Sequence, residues 1–366
     1  MPRDFPVVQS DPLHVLTVRR TLADQSEVAR AIAELLPRVA DVLDGPPMAL
    51  RTGFPKDGVA PFDLAFPVDP SIEREGFVAK TLPQIPVFSI VHEGVLKDGS
   101  DGTNLADTWQ AFIDFLGGKN LLIGDDPTRF IYHDGVETVG TEDEHVRLEV
   151  QLSYHWPMWF DAFREGIAGC LSPDAAERVL AGSEGLKESL DGSRAAEWAQ
   201  AAVGRLDGEA TDERTRACIL NGCAHHYIVQ SAELMQAAWD DVGHDLRTLM
   251  KKMTDEPFLG GQYRLDESGD EPRILIQRRP ARMEAYEKAT DPAEKRYQAC
   301  FCPLVRDAIR AGKEVSRTFC HCSSGWYVQE WEIVFGVKPE IELVETMLEG
   351  ADACVFAVKV PPGFLD

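Results

Sequence analysis

Residues 146–152 alternate with a period of two: Val146, Leu148, Val150 and Leu152 are apolar, while Arg147, Glu149 and Gln151 are polar. That pattern predicts a strand with one face buried. Shorter apolar runs at 14–18, 62–68, 86–92 and 130–132 read as further strands, with Glu93-Gly94 turning the third. Between them the period changes. Val28, Ile32, Leu35, Leu36, Val39 and Leu43 recur at helical spacing behind Asp24-x-x-Glu27, a capping box. Pro37 interrupts the run, and Gly45-Pro46-Pro47 ends it. A second helix carries Leu105, Trp109, Phe112 and Leu116 on one face, capped by Asn104 and stopped by Gly117-Gly118. The order strand–helix–strands thus occurs twice, which predicts helices packed on one face of an antiparallel sheet.

From about residue 159 to 253 strand signals give way to Ala-, Glu-, Leu- and Arg-rich helical sequence, punctuated at Ser172-Pro173-Asp174, Asp191-Gly192-Ser193 and Asp207-Gly208. A break at 257–261, a short strand at 274–276, helices at 303–311 and 326–335, and a closing hairpin of strands at 340–346 and 353–360 complete the chain. The expected class is α+β, with one domain over 1–157, a helical plus cysteine-rich α+β domain over 158–366, and the boundary near Trp156-Pro157.

Composition narrows the function classes. The 61 acidic residues outnumber 37 basic ones, a formal charge of −24, which repels nucleic acid and anionic membranes. No apolar run approaches the ~20 residues of a membrane helix. The first residues lack an apolar signal core. A cytoplasmic protein that takes a small molecule, without direct contact to nucleic acid or membrane, is the expectation; oligomeric state is not readable.

Seven of eight cysteines follow residue 215: Cys218, Cys223, Cys300, Cys302, Cys320, Cys322 and Cys354. Thiols this dense without a secretory signal point to metal binding or reactivity rather than structural disulfides. Cys320 and Cys322 can alternatively pair as a strained disulfide or attack as thiols. Cys223 with His225 and His226 reads as packing beside a rim histidine rather than a nucleophile. His92, at a strand end, reads as structural. In the first half, Glu149 either faces water or is a sheltered carboxylate. Desolvation in an aromatic cleft raises a carboxyl's pKa and fits it to hold a cation or act as a base. Phe66, Phe88, Trp109, Tyr132, Tyr154 and Trp156 are the candidate walls.

Phe62-Asp63…Phe66-Pro67-Val68, His92-Glu93-Gly94, the Trp109 helix and Leu148-Glu149-Val150-Gln151-Leu152, in that order, resemble the GyrI-like small-molecule-binding domain over residues 8–156. That family also serves as the effector-binding part of multidrug-responsive regulators. The resemblance implies two pseudo-symmetric strand–helix–strand–strand modules with a ligand groove, and a glutamate, here Glu149, attracting hydrophobic or cationic compounds for sensing or detoxification. It also implies an alternative: a hydrolase of cyclopropane-type toxins in which Glu149 activates water and Tyr132 orients the leaving group. A strand starting by residue 14 leaves no helix-turn-helix ahead of it, so direct transcriptional control is not expected.

Cys320-His321-Cys322-Ser323-Ser324-Gly325-Trp326, the strand Ile341-Glu342-Leu343-Val344-Glu345 and Gly350-Ala351-Asp352-Ala353-Cys354-Val355-Phe356 resemble the cysteine-rich vinyl-reductase-type small-molecule-binding fold over about 296–361. This resemblance implies a zinc site, with Cys320 or Cys322, Glu345 and Cys354 in matching positions and Cys300 or Cys302 as a further ligand. Leu348 stands in the region of the pattern's remaining cysteine. An iron–sulfur cluster competes with zinc, and a thiol- or metal-dependent enzyme is the third functional reading.

Overall fold

The computed structural model describes residues 5–53, 58–96, 105–119, 121, 123–124, 126–224, 229–255, 261–269 and 271–365. The expected cap at Asn104, the pair His225 and His226, and most of the break at 257–261 lie outside the described residues. The chain divides into two compact units, Met1–His155 with Ile228–Gln230, and Trp156–Tyr227 with Ser231–Asp366.

The first unit is an α+β layer. Its elements are β1 (Val7–Gln9), β2 (Leu13–Leu22), α1 (Gln25–Leu35), β3 (Met48–Arg51), β4 (Ala60–Pro67), β5 (Val78–Leu82), β6 (Pro86–Gly94), α2 (Leu105–Lys119), β7 (Thr128–Asp134) and β8 (Val146–Ser153). They form one eight-stranded antiparallel sheet in the order β1-β6-β8-β7-β3-β4-β2-β5. The two modules are β2-α1-β3-β4 and β6-α2-β7-β8, joined where β3 pairs with β7.

Local chemistry sets the helix ends. Asp24 accepts from the Glu27 backbone N–H at 2.9 Å, and Glu27 reaches back to the Ala23 N–H at 2.8 Å. At Pro37, α1 gives way to one 3-10 turn, Leu36–Arg38. Gly117-Gly118 does not stop α2, which runs to Lys119. Glu93-Gly94 does not turn; both belong to β6.

One sheet face carries the helices. Leu148, Val150 and Leu152 on β8 sit opposite Tyr132 and Phe130 on β7 and His92, Ile90 and Phe88 on β6. All of them are buried. Phe88 meets Phe112 of α2 edge-on, with ring centroids 5.5 Å apart. His92 is structural, its ring facing Thr108 Oγ1 at 3.1 Å and the Val95 carbonyl at 3.0 Å.

In the second unit the helices are α3 (His155–Cys170), α4 (Pro173–Leu180), α5 (Gly192–Glu209), α6 (Glu213–Asn221), α7 (Val229–Asp241) and α8 (Leu246–Asp255). Next come β9 (Gly261–Asp266), β10 (Arg273–Arg278), α9 (Met283–Lys288), α10 (Pro292–Ala299), α11 (Pro303–Arg310), α12 (His321–Phe335), β11 (Ile341–Glu345) and β12 (Val355–Lys359). The strands form an antiparallel sheet, β11-β12-β10-β9, so the last two do make the expected closing hairpin. Tyr327, Trp331, Val334 and Phe335 of α12 share one core with Tyr263, Ile274, Ile276, Ile341, Leu343, Phe356 and Val358 of the sheet. Burial of side chains this large contributes roughly 1.5–3 kcal/mol each.

Candidate functional sites

Glu149 stands on the sheet face away from the helices. The register places it opposite Val91 on one side and Ile131 on the other. The row continues from Ile131 to Met48 and from Met48 to Ala65. Val15, Met48, Leu50, Ala65 and Ile131 form an apolar cluster on this face, with Leu13 and Leu82 beside it. Met48 and Ile131 are shielded from solvent, whereas Val91 is half exposed. The carboxylate therefore lies at the edge of an apolar strip, its side chain 18% exposed.

Three side chains hold it. Ser89 Oγ donates to Glu149 Oε1 at 2.7 Å, Gln151 Nε2 donates to the same oxygen at 3.0 Å, and His133 Nε2 donates to Oε2 at 3.0 Å. Burial pushes the carboxyl up, but the hydrogen bonds from Gln151, Ser89 and His133 outweigh it and hold the group below its ordinary value. This reverses the expectation of a raised pKa: the side chain is a committed anion and a weak base.

The proposed aromatic walls stand elsewhere. Tyr132 pairs with Leu148 and Phe88 with Leu152, so both share the helix-covered face; Phe66 joins them through Leu16, its partner in β2. Strand alternation is the reason: even positions of β8 face the helices and odd positions face away. The Tyr132 hydroxyl donates to Gln25 Oε1 at 2.6 Å, and burial pushes its pKa up. It cannot orient a leaving group beside Glu149. Tyr154 packs on Phe88 at 4.8 Å, and Trp109 lies on α2, 6.0 Å from Phe112. Trp156 belongs to the second unit, where it stacks on Trp159 and donates to the Leu186 carbonyl at 2.8 Å. Ser89 and His133 are the partners the sequence reading missed; only the pairing of β6, β7 and β8 brings them to Glu149.

The thiols come together in part. Cys300, Cys302, Cys320 and Cys354, from three separate segments, border one small cavity of about 30 Å³ with Arg278, Phe301 and Phe356. Cys322 is turned away, its Sγ donating to the Cys223 carbonyl at 3.4 Å. Glu345 is exposed and lines a different, open groove with Arg264 and Arg279. A register shift between Leu343 and Glu345 breaks the alternation that would have turned it inward with Leu343. Among the described residues no three histidine, cysteine or acidic side chains are placed to hold one metal ion. Of the expected set, Cys300, Cys302, Cys320 and Cys354 border this one cavity, whereas Cys322 and Glu345 stand apart from it.

Cys320 beside it is the main cause holding the Cys354 thiol low, at about 7, against burial; Cys354 and burial in turn raise Cys320. Burial pushes the Cys302 thiol up to about 12. The Arg278 guanidinium lies 4.1 Å from the Phe301 ring centre and donates to the Tyr327 hydroxyl at 3.2 Å. Its backbone N–H bonds the Cys354 carbonyl at 2.9 Å, tying the start of β12 to the end of β10.

No family model matches the chain, and no curated protein matches it. Among solved structures the chain is similar to the C-terminal domain of EcmrR, at 13% identity over 42% of this chain and 98% of that one, with a TM-score of 0.33. It is also similar to SAV2435 bound to tetraphenylphosphonium, at 14% identity over 42% and 94%, with a TM-score of 0.29. A third likeness is to an integron cassette protein from the mobile metagenome of Vibrio cholerae, at 9% identity over 41% and 95%, with a TM-score of 0.27. These likenesses assign no function to this chain. No helix among the described residues is long and apolar enough to cross a membrane.

Proposed function

We propose that the first unit captures hydrophobic cations, with Glu149 as the counter-charge. The observation that carries this reading is the ionised carboxylate, triply hydrogen-bonded, at the edge of the Ile131-Met48-Ala65 strip. Adjacent strands lie ~4.8 Å apart, so that strip extends over roughly the length of an aromatic cation. Ligand sites combine apolar area with a few fixed polar groups, and this face supplies both. Preformed hydrogen bonds also favour binding, since the carboxylate needs no reorganisation to meet a cation. Capture is favoured over hydrolysis. A carboxyl held low makes a poor general base near neutral pH, and Tyr132 lies on the far side of the sheet.

Tetraphenylphosphonium serves as the probe. Calorimetric titration should show binding to the wild type and at least about a tenfold loss of affinity, ~1.4 kcal/mol, in Glu149→Gln. Glu93→Gln removes an exposed carboxylate that pairs with Arg147 at 3.4 Å and should change little. Equal affinity in wild type and Glu149→Gln would remove the proposal. Because the Glu149 carboxyl is held below its ordinary value of 4.5, affinity should stay level from pH 8 to about pH 5 and fall only as the carboxyl protonates below that.

A further inference from the structure

The surface of the second unit holds a thiol pair that cation capture does not use. Of the eight cysteines, only Cys170 and Cys218 are exposed, and their sulfurs stand 4.0 Å apart. They come from different helices, 48 positions apart in sequence: Cys170 ends α3 and Cys218 lies within α6. Close packing of these helices holds the two thiols together. Gly166 precedes Cys170 by about one helical turn and lies on the same side of α3. A Cβ there would stand 3.0 Å from the Ile219 carbonyl oxygen and 3.1 Å from Ile219 Cα. Ile219 directly follows Cys218, so the backbones of α3 and α6 come close beside the sulfurs. The other six thiols are harder to reach. Cys223, Cys300 and Cys322 are buried, and Cys302, Cys320 and Cys354 are partly covered. The cavity bordered by Cys300, Cys302, Cys320 and Cys354 has a volume of about 30 Å³, room for one or two waters and closed to a bulky reagent.

We propose that Cys170 and Cys218 are a modification site for low-molecular-weight disulfides, which convert the pair into a reversible staple between α3 and α6. One sulfur of the pair gives up its proton and attacks a sulfur of the external disulfide. The external S–S bond breaks, and the departing thiolate takes up a proton. A mixed disulfide now stands on one helix, 4.0 Å from the remaining thiol. That second sulfur loses its proton and attacks the protein sulfur of the mixed disulfide. The second external thiol leaves and is protonated, and a Cys170–Cys218 disulfide remains. Two protein thiols have been oxidised by two electrons, and one external disulfide has been reduced to two thiols. The sulfurs must approach from 4.0 Å to about 2.0 Å. Rotation of two exposed side chains serves this, and Cys170, as the last residue of its helix, has slack beyond it. Exposure also leaves the staple open to reduction, since exposed disulfides are the labile ones. Closing a loop across 48 positions restricts the unfolded chain and so stabilises the folded one.

The test treats the folded full-length protein with oxidised glutathione and quenches it with acid. The intact mass should fall by about 2 Da, dithiothreitol should restore it, and peptide mapping should find Cys170 linked to Cys218. Cys170→Ser and Cys218→Ser should each stop at the first step, holding one glutathione on the cysteine that is left. The oxidised wild type should unfold at a midpoint at least about 5 °C above the reduced protein. Cys170→Ser, treated in the same way, should show no such rise. A link mapped to any other pair, a wild type that keeps glutathione without closing the link, or an oxidised midpoint no higher than the reduced one overturns the proposal. Mapping and melting of the wild type need no variant, so they decide the matter even where a substitution disturbs folding.

Discussion

Gly325→Ala is expected to destabilise the second unit by about 3 kcal/mol or more, as overpacking against backbone does. Gly325 lies in the second turn of α12, against the end of α6. A Cβ there would stand 2.2 Å from the Asn221 carbonyl oxygen, 2.7 Å from Ala224 Cβ and 2.8 Å from Asn221 Cα. Two of these are backbone atoms, so relief requires moving one helix away from the other. Such a shift would strain the contacts that fix this junction: Ser324 Oγ donating to Asn221 Oδ1 at 2.7 Å, and Cys322 Sγ donating to the Cys223 carbonyl. Thermal unfolding should show a midpoint lower by roughly 6–12 °C. Gly204→Ala, in α5, is the matched control. Nothing lies within 4 Å of its would-be Cβ, so the better helix propensity of alanine should leave stability level or raise it by up to about 1 kcal/mol. If Gly325→Ala unfolds like the wild type, α6 and α12 do not meet this closely.

The second large effect is a loss of stability on mild acidification, centred on His321. Its side chain is 2% exposed, with Nε2 3.4 Å from Glu213. Burial pushes the imidazole down to about 4; Glu213 pulls the other way but does not win, and Arg216 and Arg317 add to the lowering. The ordinary value is 6.5, so the unfolded chain takes up the proton first. The contribution is therefore complete above about pH 6.5 and disappears progressively as pH falls toward 4. At about 1.4 kcal/mol per pH unit this amounts to about 3 kcal/mol in all, some 2 of it between pH 7 and pH 5. Urea unfolding of wild type against His321→Gln isolates the term, because carboxyl titrations are common to both. The two proteins should converge in stability as pH falls; parallel pH profiles would show that His321 does not titrate differently on folding.

Much of this architecture is legible in the chain because local signals agree with the tertiary outcome. The 146–152 alternation becomes β8, the Asp24/Glu27 box starts α1, Pro37 ends it, and the strand–helix–strands order occurs twice. What escapes is specified by partners distant in sequence. β5 is mostly exposed and shows no apolar alternation, and β3 is four residues that are largely buried; neither announces a strand. Chemical type marks the rings as candidate walls, but which face Tyr132 or Phe88 occupies depends on the register with β8. Glu345 fails because alternation assumes an unbroken ladder, and the irregularity beside it is invisible in sequence. The cysteines illustrate both sides. Their density marks the region, yet the neighbouring pair Cys320 and Cys322 diverges, while Cys320 and Cys354, 34 positions apart, border one cavity. Gly325 stood in view next to Trp326, but its reason is a helix contact over 100 positions away in sequence.

The strict two-sidedness of β8 has an evolutionary and practical corollary. Leu148, Val150 and Leu152 answer to the helices, whereas Arg147, Glu149 and Gln151 answer to whatever approaches from the other side. Specificity can drift at the second set while the first keeps the scaffold intact. A library randomised only at those three odd positions should therefore yield many folded proteins with altered ligand preference, with little need for compensating changes beneath α1 and α2.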